Sequence, residues 1–227
     1  MDRSERYVIT AETLLRAYAA GVFPMAETRD AEDLFWVDPE LRGIFPLDGM
    51  KISKSLYKTI RQKKFDVRCD TNFLGVMEKC AESTETRPDT WMNEDVFRLY
   101  NELFQMGCAH SVECWEGDEL VGGLYGVSLG AGFFGESMFS RRPNASKVAL
   151  MHLVARLRLS GYSLLDTQFV TEHLETLGAI EIPRRAYHLL LDEALQIPVL
   201  TFYSDPIEDE LASELEDMFL QSRTQTS

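Results

Sequence analysis

Three apolar segments joined by short turns constrain the fold of this 227-residue chain more than any other sequence feature. Residues 110–115, 120–128 and 132–139 are rich in residues that favour strands, and Gly-containing turns separate them. This spacing predicts an antiparallel meander. Residues 146–159 then show helical periodicity, and a buried strand follows over residues 163–170. Together these segments predict an α+β fold with a mixed sheet.

The order of strand, strand, strand, helix, strand and helix matches the acetyltransferase-like (GNAT) plan, in which helices flank a mixed sheet. We predict a GNAT-like domain over residues 86–200, with the polar segment 82–89 as its boundary. A smaller α/β domain over residues 1–85 precedes it. An acidic tail over residues 201–227 follows, and it is either a weak amphipathic helix or a disordered extension.

Three polar side chains interrupt the apolar runs of this predicted sheet. In a regular strand, Phe134, Glu136 and Met138 share one face, which places a carboxylate among hydrophobic groups. By the same rule Asp166 and Gln168 share a face, about 7 Å apart along the strand. A buried carboxylate bonded to backbone amides explains Glu136 taken alone. The three side chains together predict a functional site.

Short motifs around these side chains occur in a fixed order. They are Gly-Glu-Ser-Met-Phe-Ser from residue 135, Asn-Ala-Ser-Lys from residue 144, Asp-x-Gln from residue 166 and Gly-Ala-Ile-Glu-Ile-Pro-Arg from residue 178. With Gly-Val-Phe-Pro from residue 21, the set resembles the leucyl/phenylalanyl-tRNA–protein transferases over most of the chain. The resemblance implies that the GNAT-like domain is catalytic.

The reaction that the resemblance implies is aminolysis of an ester. Leu or Phe, with Met as a third donor to test, passes from aminoacyl-tRNA to the N-terminal Arg or Lys of an acceptor protein, which is thereby tagged for N-end-rule degradation. The ester is already activated, so no metal or cofactor is implied. The resemblance gives Asp166 and Gln168 a relay role and makes Glu136 the group that holds the basic N-terminus. It leaves open which of the three moves the proton.

The resemblance also implies an apolar pocket for the transferred side chain and aromatic surfaces for the terminal adenosine. Core packing would explain each pocket residue taken alone. The pocket positions are Leu124, Met138, Leu150, Leu153, Leu157 and Leu165, and the adenosine positions are Trp36, Trp91 and Phe133. Two departures from the family pattern are Phe35 in place of a tryptophan and Leu124 in place of a methionine.

The net charge of −14 is unusual for a protein that grips long stretches of phosphate. A local basic patch offers a smaller footprint for the tRNA backbone. Lys54, Lys58 and Arg61 follow helical spacing and would line one helix face, and Lys51 precedes them. A solvated helix face explains the same pattern equally well.

Three other functions are weighed against this one. An arginyl-tRNA donor would need an acidic pocket, whereas the pocket positions are apolar. An acetyl-CoA enzyme would need a Gly-rich turn for the pyrophosphate, and residues 141–147 contain no glycine. A catalytically silent module that binds tRNA ends or basic N-termini would be favoured by loss of Asp166 or Gln168, and both are present.

The remaining features concern location and cysteines. The sequence has no apolar run long enough to span a bilayer and no signal-peptide layout, which predicts a cytoplasmic protein without membrane contact. The four cysteines lack the spacing of a metal site. We expect them to be free thiols and expect no bound metal.

Overall fold

A computed structural model describes residues 9–25, 34–82, 92–198, 201–202 and 208–224. Within these residues the helices are α1 (Ala11–Ala19), α2 (Lys54–Arg61), α3 (Phe73–Ala81), α4 (Glu94–Gln105), α5 (Ala145–Leu159), α6 (Glu172–Leu177), α7 (Arg184–Gln196) and α8 (Glu208–Thr224). The strands are β1 (Phe23–Met25), β2 (Phe35–Val37), β3 (Leu41–Ile44), β4 (Asp66–Cys69), β5 (Ala109–Glu116), β6 (Glu119–Leu129), β7 (Gly132–Ser140), β8 (Leu164–Gln168) and β9 (Ile180–Pro183).

Seven of these strands form one mixed sheet, and β1 and β2 form a small antiparallel ribbon. The strand order in the large sheet is β4-β5-β6-β7-β8-β3-β9. Strands β5, β6 and β7 are the predicted antiparallel meander, and β7 and β8 run parallel on either side of the α5 crossover. The α+β, GNAT-like architecture is thus confirmed. Strands β3 and β4 join this sheet from before residue 86, and the proposed division into domains stays a prediction.

Helices cover both faces of the large sheet. One hydrophobic cluster includes side chains from α1, α3, α4 and α7, and a second includes side chains from α2, α5, α6 and α8. Helix α5 lies in the middle of the second layer and is buried almost along its whole length. It packs on β5, β6 and β7, in the middle of the sheet.

Side-chain caps explain where two helices begin. The hydroxyl of Thr10 accepts a hydrogen bond from the Thr13 backbone N–H at 3.2 Å, which starts α1. The Ser53 hydroxyl accepts from the Leu56 N–H and so starts α2. Helix α1 is followed by Gly21, whose φ of +79° favours glycine and ends the helix.

The acidic tail contains a helix that packs on the protein. Leu215 and Met218 of α8 are buried in the cluster around α5. This decides between the two predicted alternatives for residues 208–224, which form an amphipathic helix. Helix α6 and strand β9, both short, were not predicted from the sequence.

All four cysteines are free thiols, as expected, and two of them, Cys80 and Cys114, are buried. In the described part of the chain, no helix is both long and apolar enough to cross a membrane.

Candidate active site

A small cavity opens between the middle strands of the sheet, α5 and α6. Its volume is about 200 Å³. Five of the six predicted pocket side chains line it, and they are Leu124, Met138, Leu150, Leu153 and Leu165. The sixth, Leu157, is fully buried in the same cluster but does not line the cavity. The structure therefore brings these positions together around one space.

A β-bulge places Glu136 on the wall of this cavity. Tyr125 of β6 pairs with Ser137 of β7, whereas the next residue, Gly126, pairs with Gly135. Glu136 is the extra residue between these two pairs. A bulge breaks the alternation of side chains along a strand and redirects the bulged one.

The bulge corrects one sequence-based prediction. Phe134 packs in the cluster that faces α1 and α4, whereas Met138 packs against the cluster that faces α5. The prediction that Phe134, Glu136 and Met138 share one face is therefore wrong. A regular period of two holds only within each half of β7, because the bulge shifts it by one residue.

Three side chains donate hydrogen bonds to the Glu136 carboxylate. The Tyr18 hydroxyl donates to Oε1 at 2.6 Å and the Tyr100 hydroxyl donates to Oε2 at 2.8 Å. The Gln168 amide nitrogen donates to Oε1 at 2.9 Å. The two tyrosine hydroxyls also lie 2.5 Å apart. Glu136 thus links α1, α4 and the end of β8 at the edge of the cavity.

Burial dominates the electrostatics of this carboxylate. Desolvation raises the pKa of Glu136 from 4.5 to about 7, although the hydrogen bonds from Tyr18, Tyr100 and Gln168 act in the opposite direction. The negative charge of Asp166 raises the pKa further. Near neutral pH the group is therefore divided between its charged and neutral forms, and an incoming cation would favour the charged form.

Asp166 lies in a fully buried ion pair. Its Oδ2 is 2.6 Å from Nη2 of Arg42, and the Tyr187 hydroxyl donates to the same oxygen at 2.7 Å. Arg42 also lies over the rings of Phe23 and Tyr187, at 4.5 and 4.4 Å from their centroids. A buried pair of this kind depends on every partner, because loss of one leaves a buried charge.

Asp166 reaches Gln168 through the backbone. Its Oδ1 accepts a hydrogen bond from the Gln168 backbone N–H at 2.7 Å, and Gln168 has a left-handed φ of +62°. The carboxamide of Gln168 turns instead to Glu136. Leu165, the residue before Asp166, lines the cavity, whereas Asp166 does not. This is expected because successive side chains of a strand point to opposite faces of the sheet. The buried carboxylate therefore fixes the backbone from which Gln168 extends.

Comparisons with known proteins assign the family. The sequence model described as "Leucyl/phenylalanyl-tRNA protein transferase" matches residues 44–192, and the model of the N-terminal domain of these transferases matches residues 8–40. The chain belongs to this family. It is therefore an enzyme, an aminoacyltransferase, and the resemblance seen in its motifs is confirmed.

Similar curated proteins carry the same name. The leucyl/phenylalanyl-tRNA–protein transferase of Paramagnetospirillum magneticum is 63% identical over 187 residues, which is 82% of this chain and 90% of that protein. The one of Afipia carboxidovorans is 57% identical over 190 residues, 84% of each chain. Among solved structures, L-PGS from Bacillus licheniformis is 12% identical with a TM-score of 0.37, over 96% of this chain and 71% of that one.

The residues predicted to bind adenosine differ in their exposure. Trp36 of β2 is 40% exposed. Phe133 of β7 is fully buried, with its ring 5.9 Å from that of Phe202. Trp91 lies outside the described residues. Phe169, which was not predicted, is 44% exposed and directly follows Gln168.

The predicted basic patch forms as expected in this family member. Lys54, Lys58 and Arg61 are exposed on one side of α2, and Lys51 is exposed just before the helix. Leu56 on the opposite side of α2 is buried. The helix therefore presents a basic face to solvent and an apolar face to the core.

Several site residues of this aminoacyltransferase were missed from the sequence. Tyr18 and Tyr100 bond Glu136, and Arg42 and Tyr187 bond Asp166, across chain separations of at least 21 residues. His173 of α6 lines the cavity, and burial together with the charge of Lys147 lowers its pKa. The two tyrosines at Glu136 and the two partners of Asp166 lie in no pattern that marks them, since each is defined by a partner distant in the chain. His173 stands in a His-Leu pair that belongs to the motifs of the family resemblance, but no role was assigned to it from the sequence.

Proposed function

We propose that this enzyme transfers Leu or Phe from the 3′ end of aminoacyl-tRNA to the N-terminal Arg or Lys of an acceptor protein. The product carries a new N-terminal Leu or Phe, which tags the acceptor for N-end-rule degradation. One observation carries the proposal: the carboxylate of Glu136 stands on the wall of a cavity otherwise built largely from aliphatic side chains. Such a site has adjacent places for an apolar side chain and for a cation. Because aminoacyl-tRNA is its substrate, we place the enzyme in the cytoplasm.

The donor side chain fits the apolar part of the cavity. A volume of about 200 Å³ is below the ~300 Å³ at which pockets for drug-sized ligands begin, so it suits one side chain and not a nucleoside. Leu124, Leu150 and Leu153 would surround the Leu or Phe group. A guanidinium donor would lose its water against these aliphatic groups, which offer it no hydrogen-bond acceptor, and this disfavours an arginyl donor.

The acceptor's basic side chain fits Glu136. A guanidinium or ammonium beside the carboxylate forms a charge-assisted hydrogen bond, which is strong where water is excluded. The cation would also lower the pKa of Glu136 and so keep the carboxylate ionised. An acceptor that begins with an uncharged residue would leave a partly buried carboxylate without this compensation.

The transfer requires a neutral amine close to the ester. The α-amino nitrogen attacks the ester carbonyl carbon, the new C–N bond forms, and the bond to the ribose oxygen breaks. The proton lost by the amine passes to that leaving oxygen, so the reaction is balanced without a cofactor. The Gln168 amide donates from its nitrogen to Glu136, and we propose that its oxygen accepts a hydrogen bond from the attacking amine. Asp166 acts as a positioning residue through the Gln168 backbone.

The tRNA end is held by aromatic and basic surfaces. An exposed aromatic face offers about 1–3 kcal/mol of stacking to a base. Trp36 supplies one such face, and we propose Trp91 as the second as the family pattern implies. Phe133 would need to become accessible to stack, whereas Phe169 is already exposed beside Gln168. The basic face of α2 binds the tRNA backbone.

A transfer assay tests the proposal. The purified protein is incubated with tRNA charged with labelled Leu, Phe, Met or Arg and with peptides that begin with Arg, Lys or Ala. We expect Leu and Phe to appear on the Arg and Lys peptides alone, and Met transfer would extend the donor set. Transfer of Arg, or equal labelling of the Ala peptide, would refute the proposed specificity. Absence of transfer from all four donors would refute the function.

A further inference from the structure

Helix α8 lies outside the residues matched by the family model, packs on α5 and contacts the basic helix α2 near its carboxyl-terminal end. The Ile52 backbone N–H donates to the Ser222 hydroxyl at 2.7 Å. The rings of Tyr57 and Phe219 stack with centroids 3.9 Å apart and planes 3° from parallel. These contacts fix the carboxyl-terminal half of α8 beside the start of α2.

The two helices enclose a groove whose charge differs from that of the whole protein. The groove has a volume of about 620 Å³ and none of its lining side chains is acidic. Four of them are cationic: Lys54, Lys58 and Arg61 from α2, and Arg223 from α8. In a chain of net charge −14, a concave surface without a carboxylate is a local exception suited to an anion.

The acidic residues of α8 are kept away from this groove by their position along the helix. All six lie within residues 208–217, and the half that lines the groove has only Arg223 as a charged residue. Glu208 pairs with Lys63 beyond the end of α2, and Glu214 pairs with Arg158 of α5 at 2.6 Å. The helix therefore presents an acidic half to other cations and a basic end to the groove.

The groove is close to the aminoacyl cavity. The Lys51 backbone N–H donates to the carbonyl of Leu177, the last residue of α6, at 2.8 Å. At its other end α6 lines the cavity with His173 and Leu174. A helix of six residues is only about 9 Å long. An acylated tRNA end in the cavity would thus place phosphates a few nucleotides upstream near the start of α2.

We propose that α8 completes the tRNA-binding surface of this protein, with Arg223 joining Lys54, Lys58 and Arg61 in a groove for backbone phosphates of the tRNA acceptor arm. This inference rests on the proposed function, since it assigns the groove to the same substrate. Phe219 serves the groove by stacking on Tyr57 and so holding the end of α8 in place.

Substitution of Arg223 tests the groove by salt-dependent tRNA binding. A protein that makes six to ten phosphate contacts loses about 10³–10⁵-fold in affinity when the salt concentration rises from 50 to 200 mM. One phosphate contact therefore accounts for a loss of about threefold. We expect Arg223→Ala to raise the Kd for uncharged tRNA at 50 mM salt. The ratio of variant to wild-type Kd should then shrink by about threefold at 200 mM, and Arg223→Lys should restore most of the affinity.

Two comparisons separate this effect from a general one. Arg98→Ala removes the same charge from α4, on the opposite face of the sheet, and should bind tRNA like the wild type. Phenylalanyl-adenosine ester, a donor without phosphate, should show the same KM with the wild type and with Arg223→Ala. The wild-type protein must first be active in the transfer assay. If Arg223→Ala and Arg98→Ala then show equal tRNA affinities and salt dependences, the groove does not bind tRNA phosphates, and the proposed function still stands. A wild type without transfer would refute both.

Discussion

Replacing Glu136 by Gln should make the protein more stable above neutral pH and at the same time impair it as an enzyme. The folded state raises the pKa of this group from 4.5 to about 7, chiefly by desolvation. As pH rises, Glu136 therefore loses its proton at a lower pH in the unfolded chain than in the folded protein. Between pH 4.5 and 7 the folded state binds more protons, and stability falls as pH rises through this window.

The magnitude follows from the two pKa values. At 1.36 kcal/mol for each unit of pH, the full cost of ionising Glu136 in the folded state is about 3 kcal/mol, of which about 2 kcal/mol appears between pH 5.5 and pH 8. Glutamine has the same shape and never ionises, so it removes this cost. Its oxygen can still accept from Tyr18 and Gln168, and its nitrogen can donate to the Tyr100 oxygen.

Urea denaturation at pH 5.5 and pH 8 measures the effect. We expect the stability gain of Glu136→Gln over the wild type to be about 2 kcal/mol larger at pH 8 than at pH 5.5. The matched control is Glu216→Gln, which removes an exposed carboxylate from α8. A gain that is the same at both pH values would refute the assignment of a desolvated carboxylate, whatever its size.

Further substitutions test the other parts of the site. Gln168→Ala should lower transfer by at least about tenfold, or roughly 1.4 kcal/mol, with an unchanged urea midpoint; transfer at the wild-type rate would remove Gln168 from the mechanism. Asp166→Ala should lower transfer similarly but also destabilise the fold by about 3–5 kcal/mol in urea, because Arg42 would stay buried without its partner, and an unaltered midpoint would contradict the buried pair. Leu153→Phe narrows the cavity and should lower the ratio of Phe to Leu transfer by at least about tenfold, with an unchanged ratio arguing against this pocket. Trp36→Ala should raise the KM for phenylalanyl-adenosine by about fivefold or more, since stacking contributes about 1–3 kcal/mol, and an unaffected KM would exclude Trp36 from adenosine binding.

The parts of the fold that depend on local sequence could be predicted. The meander, α5 and the cap of α1 at Thr10 follow from side-chain periodicity and from hydrogen bonds within a few residues. The pocket positions came from the family motifs, and five of them meet as expected. The bulge at Glu136 could not be predicted, because it is defined by the pairing of β7 with β6 and not by the sequence of β7 itself.

The partners of the site residues depend on contacts between distant parts of the chain. Arg42 is 124 residues from Asp166, and Tyr18 is 118 residues from Glu136. Nothing near Arg42 in the sequence distinguishes it from a surface arginine, yet it is 1% exposed. Such residues are identified only when the sheet brings β3 beside β8. The same holds for Arg223, whose role depends on how α8 lies against α2.

The central claim is that Glu136 recognises the positive charge of the acceptor's first residue, and an uncharged copy of that residue tests it most directly. Citrulline has the shape of arginine without the charge. We would compare kcat/KM for two peptides that differ only in an N-terminal Arg or citrulline, with the wild type and with Glu136→Gln. A charged hydrogen bond of about 1.5–3 kcal/mol predicts a wild-type preference for Arg of about tenfold or more, and a ratio near one for the variant. The same preference in both proteins would contradict the account.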